Sequence, residues 1–81
     1  MKVISDQELH YTVFIEPSED GGFVASVPML PGCITQGDTI DDALVQSKEA
    51  IAGYLAVLRE DGDPIPLERR GRVISEVAVK A

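Results

Sequence analysis

The chain has 81 residues, of which 44% are hydrophobic and 26% are charged, so its size and composition are those of one small globular domain. Fourteen acidic and seven basic residues give a formal net charge of -7, which disfavours unaided binding to a nucleic-acid backbone and favours a basic partner. One cysteine excludes an intrachain disulfide, and one cysteine with one histidine does not supply the ligands of a structural zinc site.

The amino-terminal end and the hydropathy pattern bear on where the protein works. The first ten residues, MKVISDQELH, contain acidic residues and no long apolar stretch, unlike a secretory signal. No apolar run approaches the roughly 20 residues of a membrane-spanning helix. We therefore expect a cytoplasmic protein without a membrane partner. Because a domain of this size buries only about 60–65% of its unfolded surface, we also expect a homo-oligomer, a dimer or a tetramer.

Three strands are predicted in the first half of the chain. Residues 9–16, LHYTVFIE, alternate in polarity, which is typical of a half-buried strand. The stretch DGG at 20–22 predicts a hairpin turn, because glycine accepts positive φ. Residues 23–27 predict the returning strand, and residues 33–36 predict a short third strand after a turn at Pro31-Gly32. The apolar face of the first strand comprises Leu9, Tyr11, Val13 and Ile15.

A long amphipathic helix is predicted from about residue 39 to residue 61. Apolar residues recur there at spacings of three and four, which places them on one helix face. Thr39 is expected to cap the first turn, where Asp41 and Asp42 compensate the helix dipole. Gly62 is expected to end the helix, because C-terminal caps favour glycine. The predicted stripe comprises Ile40, Leu44, Ser47, Ile51, Leu55 and Leu58, with Ala43, Ala50 and Tyr54 beside it.

A fourth strand is predicted at residues 72–79, RVISEVAV, because β-branched residues alternate there. The predicted order is therefore β-β-β-α-β, an α+β fold. Since a crossover through a helix usually joins parallel strands, the fourth strand should lie parallel to an earlier one in the same sheet. One helix covers one sheet face, and a partner is expected on the other face or at an open edge. The uncovered face is predicted to carry Thr12, Phe14, Val24, Ser26, Ile74 and Ala78.

Cys33 and His10 are the candidates for covalent or acid–base chemistry. A nucleophilic cysteine needs a base to form its thiolate, but His10 lies on the polar face of the first strand with nothing to place it near Cys33. A structural role for Cys33 is therefore favoured. Carboxylates near the turns suit magnesium, yet each has a role in turn chemistry or at the helix start. The sequence predicts no catalytic residue, no metal site and no cofactor, and it predicts a solvated connection at 67–72, LERRGR.

Several motifs follow one another over residues 10–66: a first strand, a turn with DGG and an aromatic residue, the stretch VPMLPGC, a GDT step, an acidic helix start followed by AL, and a helix that ends in DGDPIP. The order of these motifs resembles the HicB-like antitoxin family. No single element is specific, and the resemblance depends on their order and spacing. They occupy residues 20–23, 27–33, 37–39, 41–44 and 61–66.

The resemblance implies both a fold and a function. The fold is a truncated ribonuclease-H-like sheet of three antiparallel strands and a fourth strand, with one helix on one face, as a single HicB-like domain over residues 1–81. The function is that of a non-enzymatic antitoxin, which sequesters and inhibits a HicA-type toxin, a small basic protein that cleaves mRNA. A stand-alone oligomeric module that binds another protein is the alternative. A metal-dependent nuclease lacks converging carboxylates, because the first strand offers only Glu16.

Many family members carry an additional domain that binds operator DNA. In this chain only about fifteen residues follow Pro66, and they are predicted to form a strand. We therefore expect no C-terminal DNA-binding domain and no direct DNA binding.

The toxin contact is expected on the exposed sheet surface and at the acidic residues of the turn and the helix start. An acidic surface complements a basic toxin, because opposite charges steer the encounter. The expected contact residues are Phe14, Glu16, Asp20, Asp38, Asp41 and Asp42.

Overall fold

The computed structural model of the protein describes residues 8–81. Three short strands are followed by one helix: β1 Phe14–Pro17, β2 Phe23–Ser26, β3 Ile34–Gly37 and α1 Ile40–Asp61. The strands form one antiparallel sheet in the order β1-β2-β3, which confirms the predicted α+β class. Most of the segment MKVISDQELH lies outside the described residues, so the expected lack of a secretory signal there stays a prediction.

The pairing register gives the sheet two different faces. Side chains that are directly opposite each other on neighbouring strands point to the same side of the sheet. The helix packs over β2 and β3, and on that side Ala25 is buried. The other side carries no helix from residues 8–81, and we call it the open face. Its two cross-strand rows are Phe14–Ser26–Ile34 and Glu16–Val24–Gln36.

The core lies between the helix and the covered side of the sheet. It is built around four buried residues, Val27, Leu30, Cys33 and Leu55. Three of the four residues on the predicted apolar face of the first strand, Leu9, Tyr11 and Val13, pack against this cluster, although regular pairing begins only at Phe14. The fourth, Ile15, is half-buried opposite Ala25. Leu30 is fully buried in the loop between β2 and β3, where its N–H donates to the Val27 carbonyl and its carbonyl accepts from the Cys33 N–H.

The helix begins and ends as predicted. The Thr39 hydroxyl oxygen accepts a hydrogen bond from the Asp42 N–H at 3.0 Å, which satisfies one of the free donors of the first turn. Gly62 ends the helix in the left-handed conformation at φ 71°. The buried stripe, however, runs through Ala43, Ser47 and Leu55, whereas Ile40 and Leu44 are exposed. The start of α1 lies so close to β3 that large side chains do not fit between them.

The predicted fourth strand is wrong for the isolated chain. Residues 72–79 have no strand partner among residues 8–81 and are exposed throughout. Alternating β-branched residues favour an extended strand, but a strand also needs an unpaired edge within reach. A turn at Arg70-Gly71, with Gly71 at φ 85°, precedes this segment, and every residue from Gly71 to Ala81 is exposed. Ile74 and Ala78 are therefore absent from the open face, and the ribonuclease-H-like arrangement, which includes that strand, stays a prediction.

Candidate protein-binding surface

Five of the six predicted contact residues lie at one end of the sheet. Pro17, Phe23 and Gly37 are paired in one row, so the β1–β2 turn and the start of α1 leave the sheet at the same end. A Cβ built on Gly22 in that turn would lie 2.6 Å from the Gly37 carbonyl oxygen, which shows how closely the two segments approach. We call this region the acidic end. Its predicted contact residues are Glu16, Asp20, Asp38, Asp41 and Asp42.

The acidic end presents most of its carboxylates to solvent. Glu16, Asp20, Asp38 and Asp41 are exposed. Asp42 is half-buried, and its Oδ2 accepts a hydrogen bond from the Asp38 N–H at 3.0 Å. Asp42 therefore shapes the helix start, while the other four carboxylates are available to a partner.

The charged residues in the part of the chain that forms the sheet are acidic. The stretch from Val3 to Ser47 contains eight acidic residues and no lysine or arginine. All three strands and about the first two turns of α1 lie within this stretch. The net charge of -7 does not reveal this arrangement, but a running count of charges along the sequence does. Such a region creates a negative potential that attracts basic molecules.

Phe14, the sixth predicted contact residue, lies on the open face in the row next to Glu16. It is 42% exposed, and Ile34, in the same row beyond Ser26, is 63% exposed. The sequence indicated a third strand but not its faces, so only the pairing register shows that Ile34 belongs here. An apolar centre with charged surroundings is typical of a protein-binding surface.

A basic groove lies beyond the first residue of β1, at the opposite end from the acidic residues. Its lining includes His10, Tyr11 and Thr12 from the chain before β1. The other side is formed by residues 68–72, which include Arg69, Arg70 and Arg72. The molecule therefore carries acidic and basic groups at opposite ends of its first strand.

Hydrogen bonds anchor the segment after the helix to the chain before β1. The Tyr11 hydroxyl donates to the Pro66 carbonyl at 2.5 Å. The Thr12 N–H donates to Glu68 Oε1 at 2.8 Å, and the Thr12 hydroxyl donates to Glu68 Oε2. The predicted solvated connection is thus fixed through Glu68. Periodicity could not reveal these contacts, because the partners are 55 and 56 residues apart in sequence.

The same contacts perturb two titrating groups. The two hydrogen bonds from Thr12, its hydroxyl bond foremost, hold the pKa of Glu68 below its usual value, and Arg72 adds to this effect. Burial raises the pKa of Tyr11, the nearby Glu68 carboxylate raises it further, and Arg59 opposes the shift. Glu68 is therefore held ionised and Tyr11 neutral, the states in which each makes its observed hydrogen bond.

Cys33 and His10 occupy different environments. Cys33 is buried in the core, and that burial raises the pKa of its thiol, which favours the neutral form. His10 is exposed and lines the basic groove.

Within residues 8–81, no three or more His, Cys, Asp or Glu side chains are grouped as metal ligands would be. No helix in that range has the length and apolar character to cross a bilayer.

Comparison with known sequences defines the class of protein. The model of a family described as "HicB_like antitoxin of bacterial toxin-antitoxin system" matches residues 11–78. The match covers most of the chain, so the chain belongs to the HicB-like antitoxin family, as the motif order predicted.

The relatives differ in the fraction of their own length that aligns with this chain. A UPF0150 protein of Thermoplasma acidophilum is 48% identical over 58 residues, which cover 72% of this chain and 84% of that protein. Antitoxin HicB 1 of Photorhabdus laumondii is 38% identical over 75% of this chain and 39% of its own length. Antitoxin HicB of Escherichia coli K12 is 32% identical over 73% of this chain and 43% of its own length. The chain thus spans about two fifths of these two HicB antitoxins.

Proposed function

We propose that this protein is a non-enzymatic antitoxin that binds a HicA-type toxin and blocks its cleavage of RNA. Membership of an antitoxin family supports a toxin as the kind of partner. The resemblance further implies that this toxin is a small basic protein whose active surface the antitoxin covers. The protein then acts in the cytoplasm, where such a toxin meets mRNA.

The one-sided charge of the sheet region is the observation that carries this proposal. Eight acidic residues and no lysine or arginine lie between Val3 and Ser47, and the sheet register brings the five predicted contact acids to one end. A toxin that recognises RNA needs basic residues for the phosphates. The acidic end offers those residues a competing set of negative charges. Contact there would therefore occlude the surface that the toxin needs for RNA.

The open face supplies the apolar part of the proposed contact. Phe14 and Ile34 are both exposed in one cross-strand row, and aromatic residues contribute disproportionately to binding at interfaces. Glu16 lies in the neighbouring row and also belongs to the acidic end. The proposed contact therefore runs from Phe14 and Ile34 through Glu16 to the acidic end.

The test uses the purified chain and the small basic toxin encoded beside it. Calorimetry measures the dissociation constant, and a labelled RNA reports cleavage by the toxin. Glu16→Lys with Asp20→Lys should weaken binding by about tenfold or more, because it opposes the toxin's charge. The matched control, Glu60→Lys with Asp61→Lys, makes the same change in net charge at the exposed C-terminal end of α1. It should leave affinity within about threefold.

Three outcomes would contradict the proposal in different ways. Absence of a complex, with RNA cleavage unaffected, would refute the toxin as partner. A complex that leaves RNA cleavage unchanged would refute occlusion. Equal weakening by both double variants would refute the acidic end as the contact, since net charge alone would then govern binding.

A further inference from the structure

Residues 73–79, which we call the C-terminal segment, expose an unusual amount of apolar surface. Val73, Val77 and Val79 are 83%, 84% and 85% exposed, and Ile74 is 57% exposed. In an extended chain the three valines lie on one face, because successive side chains alternate. The segment has the composition of a strand and no strand partner within residues 8–81.

The molecule is more elongated than a compact domain, as an exposed and projecting C-terminal segment would make it. The radius of gyration is 15.5 Å, whereas a compact chain of this length has about 12 Å. The longest extent is 57 Å, compared with 27 and 21 Å in the other two directions. Ten extended residues span about 33 Å, enough to account for the excess length.

The sheet has an unpaired edge to which a strand could add. β1 pairs only with β2, so the backbone groups on its outer side have no strand partner in the described chain. The helix packs over β2 and β3, and Ile15 on β1 stays only half-buried. An added strand would pair the edge and cover this side chain.

We propose that the C-terminal segment of one copy adds as a strand to the outer edge of β1 in a second copy, and that the two copies exchange their segments reciprocally. The residues after the turn at Arg70-Gly71 are exposed and unpaired within residues 8–81, which leaves the segment available to another molecule. Reciprocal exchange has two-fold symmetry and pairs both segments. This inference does not depend on toxin binding.

Charge also favours a second copy as the occupant. Residues 72–81 contain two basic residues and one acidic residue, so they carry a charge of +1. The other 71 residues therefore carry a formal charge of -8, which gives the total of -7 for the chain. A mildly basic strand that docks beside an acidic domain gains complementary charge in each half of the dimer.

The first experiment measures the mass of the full chain in solution by light scattering, at concentrations up to about 1 mM. The expected mass is twice the 8.7 kDa of one chain. Val77→Asp with Val79→Asp should give the monomer, because it places charges on the apolar face of the added strand. Val57→Asp is the matched control, since Val57 is also an exposed valine but lies on α1. It should leave the dimer intact, and circular dichroism should show the helix in every variant.

Hydrogen exchange locates the strand. In the dimer, amides of β1 and of residues 73–79 should be protected together, and both should lose protection in the double variant. A monomer at every concentration would overturn the proposal, whether or not the segment is protected on its own sheet. A dimer that persists in the double variant would overturn it as well, and so would protection at the edge of β3 in place of β1.

Discussion

Gly37 lies against the backbone of Ala43, so closely that a Cβ on Gly37 would come within 2.3 Å of the Ala43 nitrogen. Gly37 ends β3, and Ala43 lies fully buried in the first turn of α1. This contact positions the helix start against the end of the sheet. It thereby places Asp38 and Asp41 at the same end as the β1–β2 turn.

Replacement of Gly37 by alanine should therefore destabilise the protein. The added methyl group meets backbone atoms that cannot rotate away, so the helix start must shift. We expect a loss of roughly 1–3 kcal/mol in the free energy of unfolding, measured by urea denaturation followed by circular dichroism.

Gly53→Ala is the matched control and should have the opposite effect. A Cβ at Gly53 meets nothing within 4 Å, and this residue lies inside α1. Alanine there should stabilise the helix by about 0.5–1 kcal/mol. A Gly37→Ala variant as stable as Gly53→Ala would show that the Gly37–Ala43 approach does not constrain the fold.

Leu30 should be among the most sensitive positions in the core. Its side chain is 0% exposed, and Leu30→Ala should cost about 2–5 kcal/mol through lost burial and the cavity left behind. A domain of this size has a total stability of about 4–12 kcal/mol, so partial unfolding at ambient temperature is expected. Thermal denaturation followed by circular dichroism measures the effect.

The same substitution at an exposed leucine distinguishes the effect of burial on stability from the effect of the residue type. Leu67 is 68% exposed, and Leu67→Ala should change stability by no more than about 0.5 kcal/mol. Equal shifts of the melting midpoint in the two variants would contradict the importance of the loop around Leu30.

The Thr12–Glu68 contact should respond to acid. The pKa of Glu68 lies below its usual value of 4.5 in the folded protein, so the folded state holds the proton less tightly than the unfolded chain does. The stabilisation is therefore fully present above about pH 4.5 and is lost as pH falls through the folded pKa. The protection factor of the Thr12 amide, measured by hydrogen exchange with NMR, should fall over that range.

Two glutamine variants test this response. Glu68→Gln removes the charge, so it should lower Thr12 protection at neutral pH and abolish its dependence on acid. Glu49→Gln changes an exposed helix residue and should leave both unchanged. Protection of Thr12 that stays constant through the acid range in the native chain would refute the role of the Glu68 carboxylate.

Local patterns predicted the first three strands and the helix because their signals are local. The helix was expected over residues 39–61 and lies at Ile40–Asp61, since Thr39 and Gly62 act on the turns beside them. The alternation in residues 9–16 correctly predicted that Leu9, Tyr11 and Val13 face the core. The predicted acidic contact residues came from composition and motif order, and their assembly at one end depends on the register among β1, β2 and β3.

The sequence by itself therefore determined the first three strand segments, the helix and its caps, the family and the excess of acidic charge. Tertiary structure decided that Leu30 and Ile34 take opposite environments, that Thr12 bonds Glu68 across 56 residues, and that the helix start lies against Gly37. It also decided that residues 72–79 form no strand in one chain. The physical reason is that periodicity reports which conformation a segment favours, whereas a strand exists only where another strand supplies its hydrogen-bonding edge.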